Sequence, residues 1–316
     1  MTWKHVLIAL LLLALVPLAA TDTLAKKPVK PPPVPPSPAD PAIVCIVDWL
    51  STEAKVVVMD ADGGNQTVVY TAVGPMIHPT WAPGGNAIAF LKNYTELWRI
   101  DVTVVDGVPR GGNPKRILAE SSIGMINKPQ WSPTGDEIFY TAPGDDYYEL
   151  RAVSADGGTP RVVYDPPDRG LGRPSFSPDG DRIAFTMGGG FSTNGIQILD
   201  LGTGEVTTVL SGWTDGFKDL DWSHTGDTIA FIDSDEGPDR DHKRGGRLYT
   251  IDLDTGDLTY HFEGAEELTW LPDVTKIVFL GVNYKRWKLG GLHTYDPDTE
   301  AMEKIADDVR WPDGLR

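Results

Sequence analysis

One repeated unit constrains the fold of this chain more than any other feature of its sequence. In it an aromatic residue precedes a Pro-Gly turn, and the turn precedes an apolar triplet. The first copies are Trp81-Ala-Pro-Gly-Gly85 with Ile88-Ala-Phe90, Trp131-Ser-Pro-Thr-Gly135 with Ile138-Phe-Tyr140, and Phe176-Ser-Pro-Asp-Gly180 with Ile183-Ala-Phe185. Trp222-Ser-His-Thr-Gly226 with Ile229-Ala-Phe231 and Trp270-Leu-Pro-Asp-Val274 with Ile277-Val-Phe279 follow. A last copy reads Trp311-Pro-Asp-Gly314. The aromatic positions are 50, 45, 46, 48 and 41 residues apart, which is the period of a four-stranded sheet unit.

The local physics agrees with that period. Pro followed by Gly two residues later suits a type I turn whose next residue is left-handed, as in tight hairpins. The triplets are apolar at consecutive positions, so their strands need burial on both faces. Sheets packed between neighbouring sheets provide it. A third strand and an acidic Gly turn follow in most units, as in Val56-Val-Val-Met-Asp-Ala-Asp-Gly63 and Leu248-Tyr-Thr-Ile-Asp-Leu-Asp-Thr-Gly256. Ile43 to Val47 stand in the place of a triplet strand, and Val309 to Trp311 in the place of an aromatic strand. The expectation is all-β: a six-bladed β-propeller over residues 42–316, with four-stranded antiparallel blades. Pairing of the N-terminal strands with the C-terminal strand would close it and leave no open sheet edge.

The unit Trp-Ser-Pro-Asp-Gly-x-x-Ile-Ala-Phe resembles the Pro-Asp repeat of the TolB-like β-propeller family, over residues 42–316. The resemblance implies the architecture and leaves function open, because prolyl-oligopeptidase propellers and some polysaccharide lyases look similar. Ser-Pro-Asp-Gly is complete only at residues 177–180. His224 stands in the place of Pro and Val274 in the place of Gly, so those two turns are expected to differ. The family's namesake carries an α/β domain ahead of its propeller. A Pro-rich linker stands there in this chain, so no role of that domain carries over.

Residues 1–25 read as an export signal: Lys4 and His5, the apolar run from Val6 to Leu18, then Ala19, Ala20 and Ala25. The run is shorter than the about 20 residues of a membrane span. Residues 26–41 hold eight prolines and three lysines and favour an extended polyproline II spacer. The expected location is therefore periplasmic or secreted, with membrane contact only through an uncleaved N-terminal segment. The formal charge is −17, and the first 41 residues contribute four Lys and two acids. So acidic a domain repels phosphate backbones, which argues against nucleic acid as a partner. The single cysteine, Cys45, lies in an apolar run; it cannot form an internal disulfide and reads as a small buried hydrophobe.

Catalytic patterns are absent. No Gly-x-Ser-x-Gly elbow, phosphate loop or dinucleotide fingerprint occurs. The histidines at 5, 78, 224, 242, 261 and 293 lack zinc-like spacing, so neither a metal nor a cofactor is expected. Propeller lyases assemble ligands from separate blades, and convergence of His78 with His242 would favour a metal-assisted polysaccharide lyase. The turns at Asp60–Gly64 and Asp252–Asp257 resemble calcium loops but lack the full ligand set, and Asp also favours such turns by bonding its own backbone.

Strand alternation puts the Pro-Gly and acidic turns on one face of the ring. The loops between second and third strands share the other face with the connections between blades. That second face carries Trp49, Tyr94, Tyr147, Phe191, Tyr284 and Trp287 in its loops, and Trp213 in a connection. Aromatics ringed by charge make a contact surface. Three residues before each repeat aromatic the chain reads His78, Lys128, Arg173, Asp219, Glu267, Asp308. At a channel mouth this would be a dipolar collar for a peptide or another ligand with separated charges. The sequence thus points to a non-enzymatic, monomeric binding scaffold for a protein or peptide of the cell envelope, with the lyase as the alternative.

Overall fold

Each apolar triplet lies in the second strand of a blade and is enclosed on both sides; Ile88, Ala89 and Phe90 are fully buried, as are Ile229, Ala230 and Phe231. The computed structural model describes residues 42–49, 51–119, 128–167, 171–187, 194–213, 216–233, 245–271, 276–283 and 288–314. The export segment and the linker lie outside them. In the first blade, β1 (Ile43–Val47), β2 (Glu53–Met59) and β3 (Thr67–Val73) follow one another outward from β23 (Val309–Gly314), which comes from the other end of the chain. The second blade is β4 (Met76–Trp81), β5 (Ala87–Lys92), β6 (Glu96–Val105) and β7 (Val108–Ala119). The third is β8 (Gln130–Trp131), β9 (Glu137–Pro143), β10 (Tyr148–Ser154) and β11 (Arg161–Tyr164), and the fourth β12 (Leu171–Phe176), β13 (Arg182–Met187), β14 (Asn194–Asp200) and β15 (Val206–Trp213).

The last two blades are not separate sheets. The fifth comprises β16 (Phe217–Trp222), β17 (Thr228–Asp233), β18 (Gly246–Asp252) and the first half of β19 (Leu258–Trp270). The second half of β19 is the innermost strand of the sixth, followed by β20 (Ile277–Asn283), β21 (Lys288–Asp296) and β22 (Ala301–Ala306). One seven-stranded sheet results. The shared strand contains Gly264, at φ +106°, where a glycine permits a bend that a side chain would resist.

Burial is organised between blades. One apolar cluster joins Val44, Ile46 and Val56 of the first blade to Trp81, Ile88 and Phe90 of the second. Others join second to third, third to fourth, fourth to fifth and fifth to sixth. The sixth cluster returns to the start, with Val278 and Leu292 packed on Ile43, Cys45 and Met59. The innermost strands touch in the same cycle, and β23 touches β4. The ring is closed.

A belt of hydrogen bonds runs inside it. The residue before each repeat aromatic is polar and buried: Thr80, Gln130, Ser175, Asp221, Thr269. The side chains of Ser175, Asp221 and Thr269 reach the next blade, where Trp222 N donates to Ser175 Oγ (3.0 Å) and Trp270 N to Asp221 Oδ2 (2.9 Å). Gly314 N donates to Thr269 Oγ1 (3.2 Å), and Trp81 N donates to Asp313 Oδ2 (2.9 Å). Asp313 and Gly314 therefore hold the places that Thr80 and Trp81 hold in the second blade.

The β1–β23 register says the same and corrects the sequence reading of the last repeat. In the other blades the aromatic pairs with the first triplet residue, as Trp81 with Ile88 and Trp222 with Ile229. Opposite Ile43 stands Gly314. Trp311-Pro-Asp-Gly314 is thus not the Pro-Gly turn unit. It corresponds to His78-Pro-Thr-Trp81, with glycine in the aromatic place because an added Cβ would lie 2.4 Å from the Trp270 carbonyl oxygen. The turn with His224 does not differ from its relatives: Gly226 N donates to Ser223 O and Ser223 N to Thr228 O, as Gly180 and Ser177 do with Ser177 and Arg182. The Val274 turn lies outside the described residues.

Candidate binding face at the channel mouth

Strand register brings three segments to one end of each blade. Met76 pairs with Lys92 and Lys92 with Glu96, so the start of β4, the end of β5 and the start of β6 share that end. Near the start of the innermost strands the ladder is interrupted. Ile77 pairs with Leu91 and Thr80 with Ala89, which leaves His78 and Pro79 opposite Phe90. Similar breaks fall between Leu171 and Pro174, Phe217 and Asp219, and Ala265 and Leu268. Such bulges re-aim side chains. Five of the six collar residues, His78, Lys128, Arg173, Asp219 and Glu267, line one cavity with Pro79 and Pro312.

The cavity is small and its charges are matched. It offers about 10 Å³ of space, room for about one water. Arg173 Nη1 lies 3.1 Å from Asp219 Oδ2 and Lys128 Nζ lies 3.9 Å from Asp219 Oδ1, with the Asp219 side chain only 2 % exposed. Burial alone would lower the Arg173 pKa, but Asp219 and then Glu267 reverse this and hold it above its ordinary value. His78, at φ +48°, is pushed well below 6.5 by burial, then by Arg173 and Lys128; it is neutral. Asp308 is not part of the group. It is exposed, at φ +54°, because the last strand sits three residues further along than the repeat pattern implied.

The aromatic residues of this face divide. Tyr94 and Tyr147 are exposed, at 38 % and 43 %. Trp49 folds back onto the cluster of Val44, Val56 and Ile88, with the Arg310 guanidinium 5.3 Å over its ring. Trp213 ends β15 opposite Asn194. Phe191, Tyr284, Trp287 and residues 234–244, with His242, lie outside the described residues.

The remaining candidates are committed elsewhere. His261 bonds Thr250 Oγ1 (2.9 Å) and Tyr295 Oη (3.1 Å), and His293 bonds Gly291 O (3.0 Å) and stacks on Phe279. Among the described residues no three His, Cys, Asp or Glu group so as to hold a metal. In the acidic turns, Asp252 Oδ1 accepts bonds from Asp254 N, Thr255 N and Thr255 Oγ1, and Asp200 Oδ1 does the same with Gly202 and Thr203. These carboxylates hold their own turns. One surface escaped the sequence reading: Val104, Val105 and Val108 stand exposed at the tip of the β6–β7 hairpin, on the turn side. Its signal is Asp106-Gly107, both at positive φ, between two valine-bearing runs.

The TolB beta-propeller domain family model matches residues 43–289. The chain belongs to the TolB β-propeller family. No curated protein sequence matches it. TolB from Acinetobacter baumannii superposes with a TM-score of 0.68 at 18% identity, covering 89% of this chain and 68% of that one. A chain of a nidogen/laminin complex gives 0.64 at 10% identity, covering 87% and 98%. Oligogalacturonate lyase in complex with manganese gives 0.55 at 12%, covering 86% and 80%. At these identities the likenesses speak for the TolB-type fold alone.

Proposed function

We propose that this TolB-family propeller is a non-enzymatic scaffold, exported to the periplasm or the medium, that holds a protein or peptide partner on its loop face. The observation that carries this is the pairing at the channel mouth. Five polar residues from five blades meet there, yet Asp219 takes both cations and the space left is about one water's. Among the described residues, a substrate-sized catalytic pocket of several hundred Å³ has no counterpart at that point. Around it stand Tyr94 and Tyr147, large and exposed, of the kind that anchors protein interfaces. A partner present in the nidogen/laminin complex and a manganese-bound lyase share the fold, so the ring accommodates either use.

Photocrosslinking tests the reading. A photoreactive residue at 94 or 147 should give one discrete adduct in cells, and the same residue at 105 on the opposite side should not give it. Cleavage of oligogalacturonate by the purified protein with manganese, or adducts from position 105 only, would refute the scaffold.

A further inference from the structure

We propose that the channel mouth takes a carboxylate: Lys128 is the anchor, and it binds one oxygen of a carboxylate that the partner carries on a side chain or at a chain end. This rests on the loop-face reading above and specifies one contact within it.

Lys128 lines the mouth just ahead of β8, and its side chain is only 5 % exposed. Its one polar partner among the described residues is Asp219 Oδ1, at 3.9 Å. That distance serves an ion pair and is too long for a hydrogen bond. Asp219 is already engaged: Oδ1 accepts from Leu220 N (3.0 Å) and Oδ2 from Leu268 N (3.2 Å), with Arg173 Nη1 3.1 Å from Oδ2. It therefore matches the charge of Lys128 but takes none of its three N–H donors. A buried ammonium so placed gains most from an anionic oxygen, whose hydrogen bond is charge-assisted.

The charge around the ring is uneven. In blade order the mouth reads His78, Lys128, Arg173, Asp219, Glu267. The acids gather on Arg173, which feels Asp219, then Glu267, then Glu266. The charges that act on His78 are the cations Arg173 and Lys128, and after burial they are what keeps it neutral. The side of the mouth between His78 and Lys128 is therefore positive, although the chain as a whole carries −17. That net charge acts from a distance, where salt screens it beyond about 8 Å, whereas Lys128 acts in contact. Size narrows the class. Space of about 10 Å³, about one water's, admits one oxygen of a carboxylate with the other left outside. A tetrahedral phosphate or sulfate does not fit.

Calorimetric titration of the purified full chain tests this, with capped Gly-Asp-Gly, Gly-Glu-Gly, Gly-Asn-Gly and Gly-Lys-Gly, acetyl-Gly-Gly-Gly with a free chain end, and inorganic phosphate. At least one carboxylate peptide should bind about tenfold or more tighter than the asparagine, lysine and phosphate probes. Binding of the aspartate or glutamate peptide assigns a side chain, and binding of acetyl-Gly-Gly-Gly alone assigns a chain end. Lys128→Met should weaken the best of them about tenfold or more. Lys115→Met, which removes the same charge from an exposed position on β7, should leave it unchanged. Glu267→Gln removes a repelling charge and should tighten it about twofold or more, a gain that a misfolded variant cannot mimic. The proposal is overturned by an asparagine peptide or phosphate that binds as tightly as the best carboxylate peptide, and by the absence of carboxylate binding. Equal losses in Lys128→Met and Lys115→Met, or a Glu267→Gln protein that binds no tighter, overturn it as well. A Tyr94 adduct formed by a chain that binds no carboxylate peptide overturns it too, and leaves the scaffold reading standing.

Discussion

Asp221 is the most connected residue of the belt, and replacing it tests whether the belt holds the ring. Its carboxylate is fully buried and takes three donors from two neighbouring blades: Ser175 Oγ (2.7 Å), Thr269 Oγ1 (3.1 Å) and Trp270 N (2.9 Å). Asp221→Ala removes all three acceptor contacts. A hydrogen bond to an ionised group contributes about 1.5–3 kcal/mol, so the gross loss is roughly 4.5–9 kcal/mol. Relief of the charge's burial cost returns several kcal/mol of that, for a net loss of about 2–4 kcal/mol. Domains have only about 5–15 kcal/mol in total. Asp221→Asn should cost less, about 1 kcal/mol: its NH2 can face the Ser175 hydroxyl, which can turn to accept, while its oxygen keeps the Trp270 N–H. Guanidinium unfolding, followed by tryptophan fluorescence and far-UV circular dichroism together, gives the midpoint and slope. A loss below about 1 kcal/mol for the alanine variant, at unchanged slope, would refute the belt's role.

Three further outcomes are expected. Gly314→Ala should destabilise by about 1–3 kcal/mol, since its Cβ meets the Trp270 carbonyl oxygen at 2.4 Å; a wild-type unfolding midpoint would contradict the register. His78 has a folded pKa well below 6.5, so the unfolded chain takes up a proton first as the pH falls. Its contribution is full above pH 6.5 and is lost as the pH is lowered below it; His261 and His293 act in the same sense. Unfolding midpoints at pH 8, 6 and 5 should fall in that order and fall less steeply in His78→Gln, and a midpoint higher at pH 5 than at pH 8 would contradict this. Burial pushes the Cys45 thiol up to about 12, so a disulfide reagent at pH 8 should label the native chain far more slowly than the denatured one; equal rates would contradict the burial.

The blades were legible because their signal is local. Aromatic, Pro-Gly turn and triplet recur within some ten residues, and each copy states which strand is buried on both faces. The last copy misled for a physical reason. Trp311-Pro-Asp-Gly314 carries the letters of the turn, but its place is set by Ile43 and by bonds to Thr269 and Trp81, all distant in sequence. A clue was present. Pro follows the collar residue at His78, Lys128 and Arg173, as it follows Trp311. That the collar residues converge was readable from their common offset. That Lys128 and Arg173 both turn onto Asp219 was not, because side-chain pairing across a ring depends on reach and burial.

The placement of β23 in the first blade has a kinetic meaning as well. A linear stack of repeats frays from its two ends, where each terminal unit has one neighbour only. Here the terminal residues of the fold, near 43 and 314, hold each other, so no blade is terminal. The first blade in sequence must wait for the last strand to be released before it can be completed, and contacts of such sequence separation form slowly. Once made, they turn opening into an all-or-none event: β23 must leave a sheet and two blade interfaces at once, which should make native unfolding slow relative to an open repeat array.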